Sequence, residues 1–79
     1  MGSAKALHTS RYRNFLGRLR QARMDAALTQ EEVARLLGRP QTWVSKCELG
    51  ERRVDFVELV EFARLYRKPL LYFADAAKR

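Results

Sequence analysis

The sequence predicts an all-α fold, a compact bundle of five short helices. Three observations predict it. Apolar residues recur at helical spacing, and no stretch alternates strictly between apolar and polar as a half-buried strand does. Two helix-start signals, Thr29-Gln30-Glu31-Glu32 and Asp55-Phe56-Val57-Glu58, stand directly before apolar runs. Gly38, Pro40, Gly50 and Pro69 fall where helices end and begin.

The elements follow in order. The first helix runs from about Ser10 to Ala26, with Tyr12, Phe15, Leu16, Leu19 and Ala22 on one stripe and Arg11, Arg13, Arg18 and Arg20 mostly off it. The second starts at the Thr29 capping box, where Thr29 accepts from the Glu32 amide and Glu32 reaches back to the Thr29 amide. It ends at Leu37, with Gly38 suited to the left-handed residue beyond it. The third spans about Pro40 to Leu49 and stops at Gly50. The fourth, capped by Asp55, runs to about Tyr66. Its apolar residues Phe56, Val57, Leu59, Val60, Phe62, Ala63 and Leu65 form a stripe wide enough for a central, well-buried helix. Pro69 opens a short fifth helix through Phe73, extending toward Ala77. Residues 1–9 read as a flexible tail, 10–77 as the folded domain and 78–79 as the C-terminal end.

Composition narrows the function. A chain of 79 residues makes one domain. At that size only about 60% of the unfolded surface is buried, so stability is modest. An apolar content of 47% still supports a packed core. The net charge is +7, and the first 24 residues hold six basic side chains and no acidic one. That balance favours a polyanionic partner. The single cysteine, Cys47, supplies neither a disulfide framework nor a zinc site and reads as a small core residue. No metal or other cofactor and no small-molecule ligand is expected. His8, alone in the tail, makes no metal site. One cysteine fits a reducing, intracellular setting, and a cytoplasmic location is expected; no apolar run is long enough to span a membrane. Nor is there a His–carboxylate pair, a phosphate-cradling loop or a nucleophile arrangement, so the chain is not read as an enzyme.

The third helix carries the functional signal. At about 100° per residue, Val44 and Cys47 point one way with Trp43 at their edge, while Gln41, Thr42, Ser45 and Lys46 point the other. Amide, hydroxyl and ammonium groups on a helix can read base edges in the major groove. Small Ala34 and the turn at Gly38 let the second helix brace the third, which is a helix-turn-helix. An ordinary solvated helix face is the alternative reading of the same four residues.

The stretch "TQEEVARLLGRPQTWVSKCELGERR" resembles the Xre family of helix-turn-helix regulators, which includes the lambda-like phage repressors and Cro proteins. The resemblance rests on Thr29-Gln30, Ala34, Gly38, Val44-Ser45-Lys46, Glu48 and Gly50, all in register. It extends from the first helix to about Phe73. It implies a lambda repressor-like DNA-binding domain with the helix-turn-helix at helices two and three, bacterial or phage-encoded. Gln41, Thr42, Ser45 and Lys46 match base-facing positions. Gln30, Trp43, Arg52 and Arg53 match positions at or near the phosphate backbone, Gln30 also bracing the start of the recognition helix; Arg39 is a further candidate for phosphate contact. Trp43 stays open between core and interface. The helix-four N-terminus near Val54 to Phe56 matches an amide donor to phosphate. Arg23 and Glu48 match a structural ion pair between helices one and three. Three positions depart from the pattern, one of them Leu49, apolar on the outward side of the third helix. Ala27 stands where the family often has Gly, and Pro40 where a capping Ser or Thr is common.

The expected function is thus a sequence-specific regulator of double-stranded DNA, a repressor on a palindromic operator. One short helix reads too few base pairs to select a genomic site, so a homodimer is expected. Leu70, Leu71, Tyr72 and Phe73 are the candidate interface, with closure of the monomer core as the alternative. The rival is a protein-interaction module of the same fold, an antitoxin or adaptor holding a protein partner.

Overall fold

Among the described residues, four α-helices follow from local signals. They are α1 (Ser10–Asp25), α2 (Gln30–Leu37), α3 (Gln41–Leu49) and α4 (Phe56–Tyr66). The computed structural model describes residues 9–74. Thr9, placed by the sequence in the tail, is the N-cap of α1: its hydroxyl accepts from the Tyr12 amide at 3.1 Å. Residues 1–8, the extension toward Ala77 and the end at 78–79 lie outside the described residues.

Both predicted capping boxes form. Thr29 Oγ1 accepts from the Glu32 amide at 3.1 Å, and Glu32 Oε1 from the Thr29 amide at 2.8 Å. Asp55 and Glu58 exchange the same pair of bonds at 2.8 and 3.0 Å. Gly38 (φ 69°) and Gly50 (φ 80°) end α2 and α3 in the left-handed conformation that glycine adopts without steric cost. Pro40 caps α3 from an extended conformation rather than opening its first turn.

The fifth helix is a correction. Leu70–Phe73 form a single 3-10 turn, so the described residues hold four α-helices. Pro69 has no side-chain oxygen to cap with, and Ala74 returns to extended backbone at ψ 156°. Four residues without caps do not pay the nucleation cost of an α-helix.

α2 and α3 pack closely on each other, and α1 packs across α3, α4 and the 3-10 turn. The core is Leu19, Ala22, Val33, Ala34, Val44, Cys47, Phe62, Ala63, Tyr66 and Phe73. The wide stripe expected on α4 is only partly buried. Phe56 and Val57 are 67% and 66% exposed, while Glu58 in the same turn faces inward. Glu58 and Tyr66 are buried in their stead. Phe73 is likewise a correction to the candidate dimer surface, since its ring packs 6.3 Å from that of Phe15 and is only 4% exposed. Tyr72 is half-buried, and Leu70 and Leu71 face solvent. Among the described residues, no helix is long and apolar enough to cross a membrane.

Candidate nucleic-acid interface

α3 presents the four predicted reading residues on one side of the molecule. Gln41, Thr42 and Lys46 are exposed and Ser45 is half-buried. Opposite them, Val44 and Cys47 are completely buried. Burial pushes the Cys47 thiol up, in keeping with a core residue. Leu49, at the end of the helix, is 58% exposed.

A carboxylate at the back of α3 sets its orientation. Glu48 accepts from Arg23 Nε at 2.7 Å and Arg23 Nη2 at 3.1 Å, the planar fork that guanidinium and carboxylate form best. Gln30 Nε2 adds a third bond at 3.0 Å. Arg23 Nη1 also donates to the Leu28 carbonyl at 3.0 Å, which ties in the turn before α2. The predicted Arg23–Glu48 pair is therefore present, and it sits at the junction of α1, α2 and α3. The bond from Glu48 raises the Arg23 pKa against the opposing effect of burial. Gln30 in turn meets the first residue of α3, with Gln41 Nε2 3.5 Å from Gln30 Oε1, a long contact.

A second set of contacts surrounds Trp43. Its ring stacks on Phe62 at 5.7 Å, with the Arg39 guanidinium 4.1 Å and the Arg52 guanidinium 5.1 Å from its centroid. Arg39 also lies 3.7 Å from the Glu61 carboxylate. Arg52 forms a two-bond fork with Glu58, both bonds 2.8 Å. Arg53, next in the chain, is exposed and rests over the Tyr12 ring at 4.4 Å. The Tyr12 hydroxyl accepts from the Val54 amide at 3.0 Å. Two of the three amides expected to face phosphate at the start of α4 are thus already used, Val54 by Tyr12 and Asp55 by Glu58.

The structure brings Gln30, Arg39, Gln41, Thr42, Trp43, Ser45 and Lys46 together around α2 and α3, with Arg52 and Arg53 on the following loop. Leu70, Leu71, Tyr72 and Phe73 belong to a separate element. Sequence reasoning missed Tyr12 as the platform for Arg53 and Glu58 as the partner of Arg52. Glu58 was visible only as half of a capping box. Tyr12, 41 residues before Arg53, left no local signal.

Two helices at this spacing, with a polar outer face on the second, define the helix-turn-helix class, whose second helix enters the DNA major groove. The comparisons agree. A family model described as a helix-turn-helix domain matches residues 15–69. The chain is similar to a solved structure, an XRE-family like protein from Pseudomonas syringae pv. tomato str. DC3000, at 38% identity and TM-score 0.78, covering 99% of this chain and 93% of that one. No curated protein matches it. The chain belongs to the Xre-type family of helix-turn-helix proteins.

Proposed function

We propose that this protein is a transcriptional regulator that binds double-stranded DNA sequence-specifically, and that it represses by occupying a palindromic operator as a homodimer. The observation that carries this reading is the braced polar face of α3. Gln41, Thr42 and Lys46 are solvent-facing on a helix fixed from behind by the Arg23–Glu48–Gln30 junction. A reading helix gains specificity when its side chains are held in place before the DNA arrives. Gln41 and Lys46 have the donors to bond base edges, each good bidentate contact giving about 1–3 kcal/mol of discrimination. Thr42 and Ser45 complete the reading set. The net charge of +7 supplies salt-dependent affinity for phosphate. Repression then needs no chemistry, only occupancy that excludes polymerase, in the cytoplasm where the nucleoid lies.

Dimerisation is assigned to the exposed part of the 3-10 turn, Leu70 and Leu71, at 41% and 73% exposure. The protein-interaction reading is favoured by one observation, the exposed apolar side chains Phe56 and Val57 at the start of α4. An antitoxin or adaptor would cover them with its partner.

The test is selection of bound duplexes from a random pool at about 150 mM salt, where charge alone holds DNA weakly. The proposal expects an enriched palindrome with half-sites about one helical turn apart. A folded protein that enriches no sequence would discard base reading and leave the protein-partner alternative.

A further inference from the structure

We propose that Arg52 is a positioning residue for DNA recognition, a pin joining α3, the following loop and α4, and that the phosphate contact of this loop belongs to Arg53. The inference rests on the DNA-binding reading above and changes the role of one of its residues.

The case begins with the donors. An arginine has five N–H donors and no acceptor. Arg52 Nη1 donates to Glu58 Oε1 and to the Arg53 carbonyl, both at 2.8 Å, and Nη2 donates to Glu58 Oε2 at 2.8 Å. The guanidinium also lies 5.1 Å from the centre of the Trp43 ring. Its charge is matched by Glu58, a residue only 8% exposed. Turning Arg52 toward a phosphate would leave that carboxylate buried and unpaired, the costly way to break an ion pair. Arg53 is in the opposite situation. It is exposed, rests on an aromatic face and has no carboxylate partner among the described residues.

The contacts also show what is pinned. Glu58 holds the Asp55 amide at 3.0 Å while it holds Arg52. The backbone around Arg53 is therefore fixed on both sides, at its own carbonyl and two residues later. Trp43, between Thr42 and Val44 in α3, is held between Phe62 and the two guanidiniums. Removing either Arg52 or Glu58 frees the loop that aims Arg53 and one support of the reading helix.

The two roles differ in the sign of one substitution. Glu58→Gln removes a negative charge from a DNA-binding protein and releases Arg52. If Arg52 were a phosphate ligand, Glu58→Gln would tighten binding. If Arg52 is a pin, Glu58→Gln and Arg52→Gln both weaken it. Arg52→Lys gives a second separation. Lysine keeps the charge for a phosphate but cannot reproduce the two-bond fork, so as a pin it fails as Arg52→Gln does.

The experiment measures the affinity of the full chain and these variants for a selected duplex over a salt series. It is run well below each melting temperature, with the folded fraction taken from circular dichroism. Acrylamide quenching of Trp43, the one tryptophan in the chain, is followed without DNA. The expected result is a loss on the order of threefold to thirtyfold for Glu58→Gln, Arg52→Gln and Arg52→Lys. Their salt slopes stay at the wild-type value, and quenching rises in all three. Arg53→Ala is expected to lower the slope by about one and leave quenching unchanged. Tighter binding by Glu58→Gln, or a slope reduced by about one in Arg52→Gln with wild-type behaviour in Arg52→Lys, would overturn the proposal. Unchanged quenching in the Arg52 and Glu58 variants would overturn it as well. A wild-type chain that selects no duplex overturns the DNA-binding reading itself, and the quenching result then decides whether the pin exists apart from DNA.

Discussion

Ala27 carries a backbone conformation that its side chain opposes. It sits at φ 58° in the turn between α1 and α2. A Cβ in the left-handed region costs roughly 1–2 kcal/mol, and glycine there would relieve it while adding unfolded-chain entropy of about 0.4–1 kcal/mol. Ala27→Gly is therefore expected to stabilise the fold by roughly 0.5–1 kcal/mol, seen as a melting temperature higher by a few degrees. Arg67, at φ 60°, ends α4 in the same conformation. A different cost is stored at Tyr66. Its hydroxyl is buried with no hydrogen-bond partner among the described residues, and burial raises its pKa. An unsatisfied buried polar group costs about 1–3 kcal/mol. Tyr66→Phe keeps the ring that stacks on Phe62 at 5.8 Å and removes the hydroxyl. Denaturant melts should show a variant at least as stable as the parent. A loss of 1 kcal/mol or more, by the same measure, would mean that the hydroxyl has a partner in solution.

At the scale of elements, the helix starts are the exposed joints. Thr29→Ala removes one half of the α2 capping box and should cost about 1 kcal/mol by denaturant melt. The α4 start depends on pH as well. The Arg52 fork holds the Glu58 carboxylate below the ordinary glutamate value of 4.5, although burial pushes the other way. A carboxylate with a lowered folded pKa contributes stability that is complete above its unfolded value and is lost as pH falls through the folded one. Bonds from Gln21 and Lys68 hold Asp25 low, and bonds from Thr29 hold Glu32 low, so their contributions fall in the same direction. Stability measured between about pH 6 and pH 3 should decline toward acid, and Glu58→Gln should make that decline shallower. An equally steep acid limb in that variant would show that the fork adds nothing to folding. These elements also mark what the sequence could tell. Capping boxes and glycine ends are local patterns of three or four residues, so the bounds of α2, α3 and α4 were legible. The Arg23–Glu48 pair and the outward face of α3 came from family register and helical spacing. The Arg52–Glu58 fork spans a loop whose course no local pattern sets, and arginine beside glutamate is common in any charged sequence. The 3-10 turn was misread because Pro69-Leu70-Leu71-Tyr72-Phe73 has the apolar content of a helix but lacks the capping that would extend one.

At the scale of the whole molecule, shape and charge make one demand on the DNA. The described fold measures 33 × 30 × 20 Å, and half-sites read from one side of a duplex are centred about 34 Å apart. Under the proposed dimer, two copies side by side would span successive major grooves. On the homodimer reading, that geometry predicts how affinity depends on spacing. Inserting about 5 bp between the half-sites places the second α3 on the opposite side of the helix, whereas about 10 bp restores the side and only stretches the distance. Electrophoretic shifts at fixed salt should show cooperative occupancy on the parent site, loss of cooperativity with the half-turn insertion, and independent binding of two copies there. Leu71→Asp, on the exposed 3-10 turn, should abolish cooperativity on the parent site while leaving the salt slope per copy unchanged, because the proposed phosphate contacts and the proposed dimer contact lie on different elements. If cooperativity survives Leu71→Asp and is lost in Val57→Asp, the contact between copies lies at the start of α4, where Phe56 and Val57 are exposed. If neither substitution affects it and the half-turn insertion is tolerated, the two sites are filled independently, and selection among genomic sites must come from a further partner.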